Sequence, residues 1–142
     1  MILVDANILL YAEDSSAAQH EKIRIWWDSI LSSDVRVCLC WEVLNAFIRI
    51  GTNKKIYIKP LSLSEATNRI QNWLDQPNVE IVTPLLKHWE IFQNLMKSAQ
   101  VKGNLVSDAH LAALAISHGC TLYSTDVDFA RFSKLKWVNP LK

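Results

Sequence analysis

Four carboxylates stand where the chain changes from one local pattern to another. Asp5 directly follows the apolar run Met1–Val4, and Glu42 follows the run Val35–Leu39 at the start of a helical pattern. Asp108 opens an alanine-rich helical pattern, and Asp126 follows Thr121–Tyr123, with Asp128 a fifth candidate in the same loop. An acid at a helix start is worth only about 0.3–1 kcal/mol to that helix through dipole and capping. Each acid taken singly fits that modest role. Taken jointly they point elsewhere, because the carboxyl ends of strands in an open parallel sheet meet along one edge, where ligands bind. Asp5 ends an apolar strand, and a lone carboxylate buried there would be costly. Clustered carboxylates repel and raise one another's pKa unless a cation neutralises them. An all-oxygen cluster suits Mg²⁺ or Mn²⁺. Such ions can activate water and stabilise a leaving oxygen in phosphodiester cleavage. Asn7 and Ser124 are placed to orient these carboxylates. Asn45, three residues after Glu42, shares its helix face.

The elements that must carry these residues follow from hydrophobic period. Short apolar runs at Met1–Val4, Val35–Leu39, Val79–Val82, Thr121–Tyr123 and Trp137–Val138 read as strands. Helical patterns cover Ala6–Ala12, Ala18–Leu31, Trp41–Ile50, Ser62 to about Leu74, Leu85–Ala99 and Val106–His118, with a helical turn at Asp128–Phe132. Ser62 and Glu65 have capping-box spacing. Thr83-Pro84 reads as the entry to the helix that follows, and Gly119 as the residue that closes the alanine-rich helix. Short apolar strands separated by helices imply a parallel sheet covered on both faces, so the expected class is α/β, a three-layer sandwich.

Composition narrows the field. The chain has 142 residues, 15 Lys and Arg against 14 Asp and Glu, and 50% hydrophobic residues. That suits one domain over residues 1–142 with a full core. No apolar run reaches the roughly 18 residues a membrane span needs. Met1–Val4 lacks the positive flank of a secretory signal. Three cysteines make no disulfide framework, so a reduced, cytoplasmic protein is expected. A net charge of +1 removes any appeal to global basicity for nucleic-acid binding.

The segment Met1–Ala12 resembles the opening of PIN-domain ribonucleases, specifically the VapC toxins of toxin–antitoxin pairs. The resemblance continues in Trp41–Leu44, is strongest in Gly103–Ala115, and closes with Ser124–Phe132. It implies a five-stranded parallel sheet of order 3-2-1-4-5 flanked by helices. It also implies Mg²⁺- or Mn²⁺-dependent endoribonuclease activity on RNA such as tRNA, inhibiting translation. By position the family's four acids correspond to Asp5, Glu42, Asp108 and Asp126, with Asp5, Asp108 and Asp126 the expected metal ligands. Ser124 matches the family's Ser or Thr two residues before the last acid. Whether Asp126 or Asp128 faces the metal is left open. A homodimer and a VapB-type antitoxin partner are implied as well.

RNA binding needs local positive charge against phosphates. Three stretches without acids supply it. Arg49, Lys54, Lys55 and Lys59 lie between Glu42 and Glu65, Lys97 and Lys102 between Glu90 and Asp108, and Arg131, Lys134, Lys136 and Lys142 after Asp128. Arg49, Lys54, Lys55, Lys102 and Arg131 are the candidate RNA contacts. An ordinary solvated surface explains them equally well. Trp27 and Trp73 read as core, whereas Trp26, Trp41 or Trp89 could serve a partner or stack a base. Cys38 and Cys40 would share a strand face, but the paired spacings of a zinc site are absent. His110, two residues past Asp108, falls on a different helix face and reads as structural. A phosphatase or receiver-like reading of Asp126-Val127-Asp128 fails because the pair comes too late in the chain. The alternative of another class is a PIN-like module that holds RNA or protein without cutting. Such a module has no need of four acids.

Overall fold

The computed structural model describes residues 1–142. Five short strands alternate with six helices: β1 (Ile2–Val4), α1 (Ala6–Glu13), α2 (His20–Leu31), β2 (Val37–Leu39), α3 (Trp41–Gly51), α4 (Leu63–Leu74), β3 (Val79–Ile81), α5 (His88–Ser98), α6 (Leu105–His118), β4 (Thr121–Tyr123) and β5 (Trp137–Val138). A 3₁₀ helix at Val127–Arg131 joins the last two strands. All strand pairs are parallel and the order is β3-β2-β1-β4-β5, as the resemblance implies. β1 therefore lies at the centre, where Leu3 and Val4 are fully buried. The sheet's first half runs outward from β1 to β3, and the chain then crosses back to β4. With right-handed crossovers, that reversal puts α1–α4 on one face and α5–α6 on the other. Packing agrees: α1 lies against α2 and α3, α3 against α4, and α5 against α6.

The larger helical layer is sealed by aromatic rings. Trp73 meets Trp27 edge-on at 5.9 Å and Phe47 at 4.9 Å between centroids, joining α2, α3 and α4. The same layer holds a carboxylate that the sequence reading did not single out. Glu13 ends α1, and its side chain is only 9% exposed. It is paired with Arg24 of α2 at 3.3 Å and Arg69 of α4 at 2.9 Å, as a buried charge must be. No helix is long and apolar enough to cross a membrane.

One local expectation needs correction. Thr83-Pro84 does not open α5, which starts at His88 after Lys87. The Thr83 carbonyl is instead taken by His118 Nε2 at 2.7 Å, so the segment serves as a link laid against α6. Cys38 and Cys40 take separate partners. The strand ends at Leu39, Cys38 Sγ lies 3.7 Å from Cys120 Sγ, and Cys40 caps α3 beside Glu42.

The ends of α4 and α6 follow their sequence signals. Ser62 and Glu65 exchange both capping-box hydrogen bonds. Gly119 closes α6 with φ of 69°, the left-handed region that penalises a Cβ. A Cβ at Gly119 would touch nothing within 4 Å, so only backbone strain opposes substitution. Gly119→Ala is therefore expected to lower stability by about 1 kcal/mol and Gly119→Asn by less, because Asn tolerates this conformation. Urea unfolding at unchanged m-value checks this. Equal losses in both variants would show that the conformation of residue 119 is not what matters.

Candidate active site

β1 and β4 pair side by side, Val4 opposite Tyr123, so the residues that follow them emerge together. Asp5 is the N-cap of α1, and its Oδ1 accepts the Ala6 N–H at 2.7 Å. Its Oδ2 accepts the Ser124 hydroxyl at 2.7 Å and the Asn7 amide at 3.2 Å. Ser124 is fully buried. Its Oγ in turn accepts the Asp126 N–H at 3.1 Å, while Asn7 Oδ1 accepts the Thr125 N–H at 3.1 Å. Asp126 caps the 3₁₀ helix, taking the Asp128 N–H at 2.9 Å. The local fold of both loops is thus written into side-chain hydrogen bonds between them.

Asp108 arrives from the first turn of α6. One carboxylate oxygen each from Asp108, Asp126 and Asp128 lie within 4.8 Å of one another. Both acids of the loop therefore enter the cluster, which answers the choice between Asp126 and Asp128 as far as placement goes. Arg131 is turned onto this cluster, with its guanidinium 3.3 Å from Asp128. Asp5 stands beside the three and adds to the field at Asp108. Burial pushes Asp108 up to about 6, and the charges of Asp126, Asp5 and Asp128 add to it against the opposing Arg131. Burial also pushes Asp5 up, and the bonds from Ser124, Ala6 and Asn7 only partly offset it.

Glu42 is placed differently. It lies in the first turn of α3, and its half-exposed carboxylate is 3.3 Å from His110 Nε2. Burial pushes Glu42 up, but its own backbone N–H, the Cys40 thiol and His110 outweigh that and hold it below the usual value. Asn45 is exposed and makes no side-chain hydrogen bond to any of the acids. Arg49, Lys54, Lys55 and Lys102 are all exposed and free of ion pairs. Trp26 stacks on Tyr123 at 5.0 Å, so it belongs to the core's edge, whereas Trp41 and Trp89 are exposed. A cavity of about 590 Å³ is lined by Glu13, Asp14, Tyr57 and Lys59 among others, and none of the site acids lines it. The acids occupy the open edge of the sheet, which suits a polymer backbone better than an enclosed small molecule.

The sequence reading missed the partner of Glu42. His110 Nδ1 lies 2.9 Å from His88 Nε2, which links three helices through two imidazoles. Only the packing of α5 on α6 brings these residues together, and no spacing in the chain signals it.

A parallel sheet of this order, with acids gathered at the carboxyl ends of β1 and β4 and the start of α6, defines an α/β domain with an acid-lined edge. The chain matches the PIN domain model over residues 2–135 and belongs to that family. It is 35% identical over 142 residues to ribonuclease VapC33 of Mycobacterium tuberculosis, covering 100% of this chain and 99% of that protein. It is 37% identical over 140 residues to ribonuclease VapC37 of the same organism, covering 99% and 97%. Among solved structures, VapBC2 of Rickettsia felis, bound to a DNA fragment from its promoter, superposes with a TM-score of 0.71. It covers 98% of both chains at 19% identity, which shows the shared fold.

The raised Asp108 carries a stability consequence. A carboxyl whose folded-state pKa lies above its ordinary 3.8 favours the fold while protonated, and that contribution is lost as pH rises through about 6. Without divalent ions, Asp108→Asn should therefore match wild type near pH 4 and gain over it toward pH 7. The gain is expected to reach about 1 kcal/mol after allowance for solvent screening, and to level off above that. Denaturant titrations across pH in EDTA test this. A difference independent of pH would sink it.

Proposed function

We propose that the protein is a divalent-metal-dependent endoribonuclease acting as the toxin of a toxin–antitoxin pair. The observation that carries this is the convergence of Asp108, Asp126 and Asp128 with Asp5 beside them. Only Arg131 partly offsets that concentration of charge. Oxygen-only donors of this kind fit Mg²⁺ or Mn²⁺. Asp108 and Asp126 would hold the ion, with Asp128 alongside. Asp5 has about one acceptor position left after its three hydrogen bonds and can add it. A bound divalent ion supplies an activated water and charge neutralisation at the scissile phosphate.

The chain's own residues do the rest. Ser124 and Asn7 fix the Asp5 carboxylate, and Ser124 also fixes the backbone that presents Asp126. Glu42, held below the usual carboxylate value in the first turn of α3, stays ionised and would accept a proton from water. Arg49, Lys54, Lys55, Lys102 and Arg131 meet the RNA phosphates, which are drawn to the exposed cations and not to the chain's small net charge. The named ribonuclease relatives support RNA as substrate; tRNA as the particular RNA, with loss of translation as the consequence, belongs to the proposal. The VapBC neighbour supports an antitoxin of the VapB type; a homodimeric toxin acting in the cytoplasm completes the proposal. A module that binds RNA without cutting would not need these acids gathered against their own repulsion.

The test is cleavage of labelled tRNA and total RNA by antitoxin-free protein. Discrete cuts are expected with Mg²⁺ or Mn²⁺, none with EDTA, and a loss of about 10²-fold or more in Asp5→Asn and in Asp108→Asn. RNA that is bound but left whole under all conditions would favour the binding module instead.

A further inference from the structure

We propose that His88 and His110 form a fixed hydrogen-bond relay that positions the Glu42 carboxylate for the reaction, His110 by touching it and His88 by holding His110. The inference rests on the functional reading above, in which Glu42 is one of the four working acids.

The chain of contacts runs from core to surface. His88 is 9% exposed. The His110 side chain is 25% exposed and that of Glu42 51%. The contacts are 2.9 Å between His88 Nε2 and His110 Nδ1 and 3.3 Å between His110 Nε2 and Glu42 Oε1. Phe92 wedges both rings, 5.8 Å from His88 and 5.6 Å from His110 between centroids.

The end of the chain fixes where the protons sit. An ionised carboxylate only accepts, so His110 Nε2 carries the proton. Neutral His110 then offers a bare Nδ1, and the proton between the rings belongs to His88 Nε2. That leaves His88 Nδ1 as a lone pair, and this atom is buried without a partner. The reverse order would bury an N–H with nothing to accept it, which is the worse arrangement. All the donors of the relay therefore point toward Glu42.

The consequence is geometric. Glu42 is a half-exposed side chain on α3 with three rotatable bonds. His110 sits two residues beyond Asp108 on α6, so its bond ties the fourth acid to the helix that carries the cluster. His88, on α5, keeps the His110 ring from turning away. A merely structural link between helices would make no demand on the donor atom at position 110, whereas this relay does.

The closing experiment has two arms. In RNA-free protein at pH about 8.5, well above the ordinary histidine value, a ¹⁵N–¹⁵N coupling across the hydrogen bond between His88 Nε2 and His110 Nδ1 is expected. Its absence from the folded protein overturns the relay, whatever the enzyme does.

The kinetic arm uses one RNA cut in the assay above. His88→Phe and His110→Phe should each lower kcat roughly tenfold with KM within about twofold, as loss of a supporting partner does. The double variant should be no worse than His110→Phe. His110→Gln, which keeps a donor near the Nε2 position, should recover most of the loss, although a purely structural role predicts no such rescue. Unchanged kcat in both Phe variants, beside a deficit in Glu42→Gln, overturns the proposal while leaving the cleavage reading intact. Full activity of Glu42→Gln beside an inactive Asp108→Asn removes Glu42 from the chemistry and overturns the positioning with it. Loss of cutting by wild type itself defeats the functional reading, and the coupling still decides whether the relay exists.

Discussion

A carboxylate that ends a fully buried strand must find donors, and the arrangement of this site follows from how Asp5 finds three. They come from the first turn of its own helix and from β4's exit. Hydrogen bonds to charged groups contribute about 1.5–3 kcal/mol each when the alternative is a desolvated charge. Ser124 is the shared element, since it donates to Asp5 and accepts from the Asp126 backbone. The same hydroxyl thus solves the problem of a buried anion and sets the path of the loop that presents two more acids. Parallel pairing of β1 with β4 is what makes this possible over a sequence gap of more than a hundred residues. If β1 lay at an edge, Asp5 would face water and the loop would lose its template.

The cluster beyond Asp5 works against folding. Three acids brought together with one arginine on the rim repel, and Asp108 is pushed up to about 6 by burial first and then by the charges of Asp126, Asp5 and Asp128. Stability has to come from elsewhere in the chain. It comes from the centre of the sheet and from the aromatic seam of Trp27, Phe47 and Trp73. Local disfavour tolerated at one edge of an otherwise consistent fold is the usual mark of a site under functional demand.

Much of this was legible in the sequence, for reasons that differ by residue. The strands and helices showed through their periods, and Ser62, Glu65 and Gly119 marked ends because capping is a local interaction. The positions of Asp5 and Asp126 followed from one topological fact, that strand ends in a parallel sheet share an edge, whereas Asp108 stood out at the start of the alanine-rich helix, in the stretch where the family resemblance is strongest. Thr83-Pro84 misled because a strong local entry signal lost to a tertiary one, the His118 bond to the Thr83 carbonyl. Glu13 went unremarked, since a helix-end acid looks solvated until Arg24 and Arg69 close over it. His110 was set aside on helix-face geometry relative to Asp108. That geometry was sound, but it faces a different acid, and only the folded chain, which brings the first turn of α3 to His110, reveals which one.

The four acids therefore do not form one equivalent set. Burial and like charge push Asp108 up, whereas Glu42 is held down by its own backbone, Cys40 and His110. When environments drive titratable groups apart in this way, they divide the work between them. Near neutral pH the charge on Glu42 is permanent, because its partners belong to the protein. The full charge on the Asp108 cluster depends on a partner that the protein does not supply. In the proposed reaction, the cluster is thus the part that answers to a cation. Glu42 is the part already poised before the cation arrives, and that is why its orientation has to be built into the packing of α5 and α6.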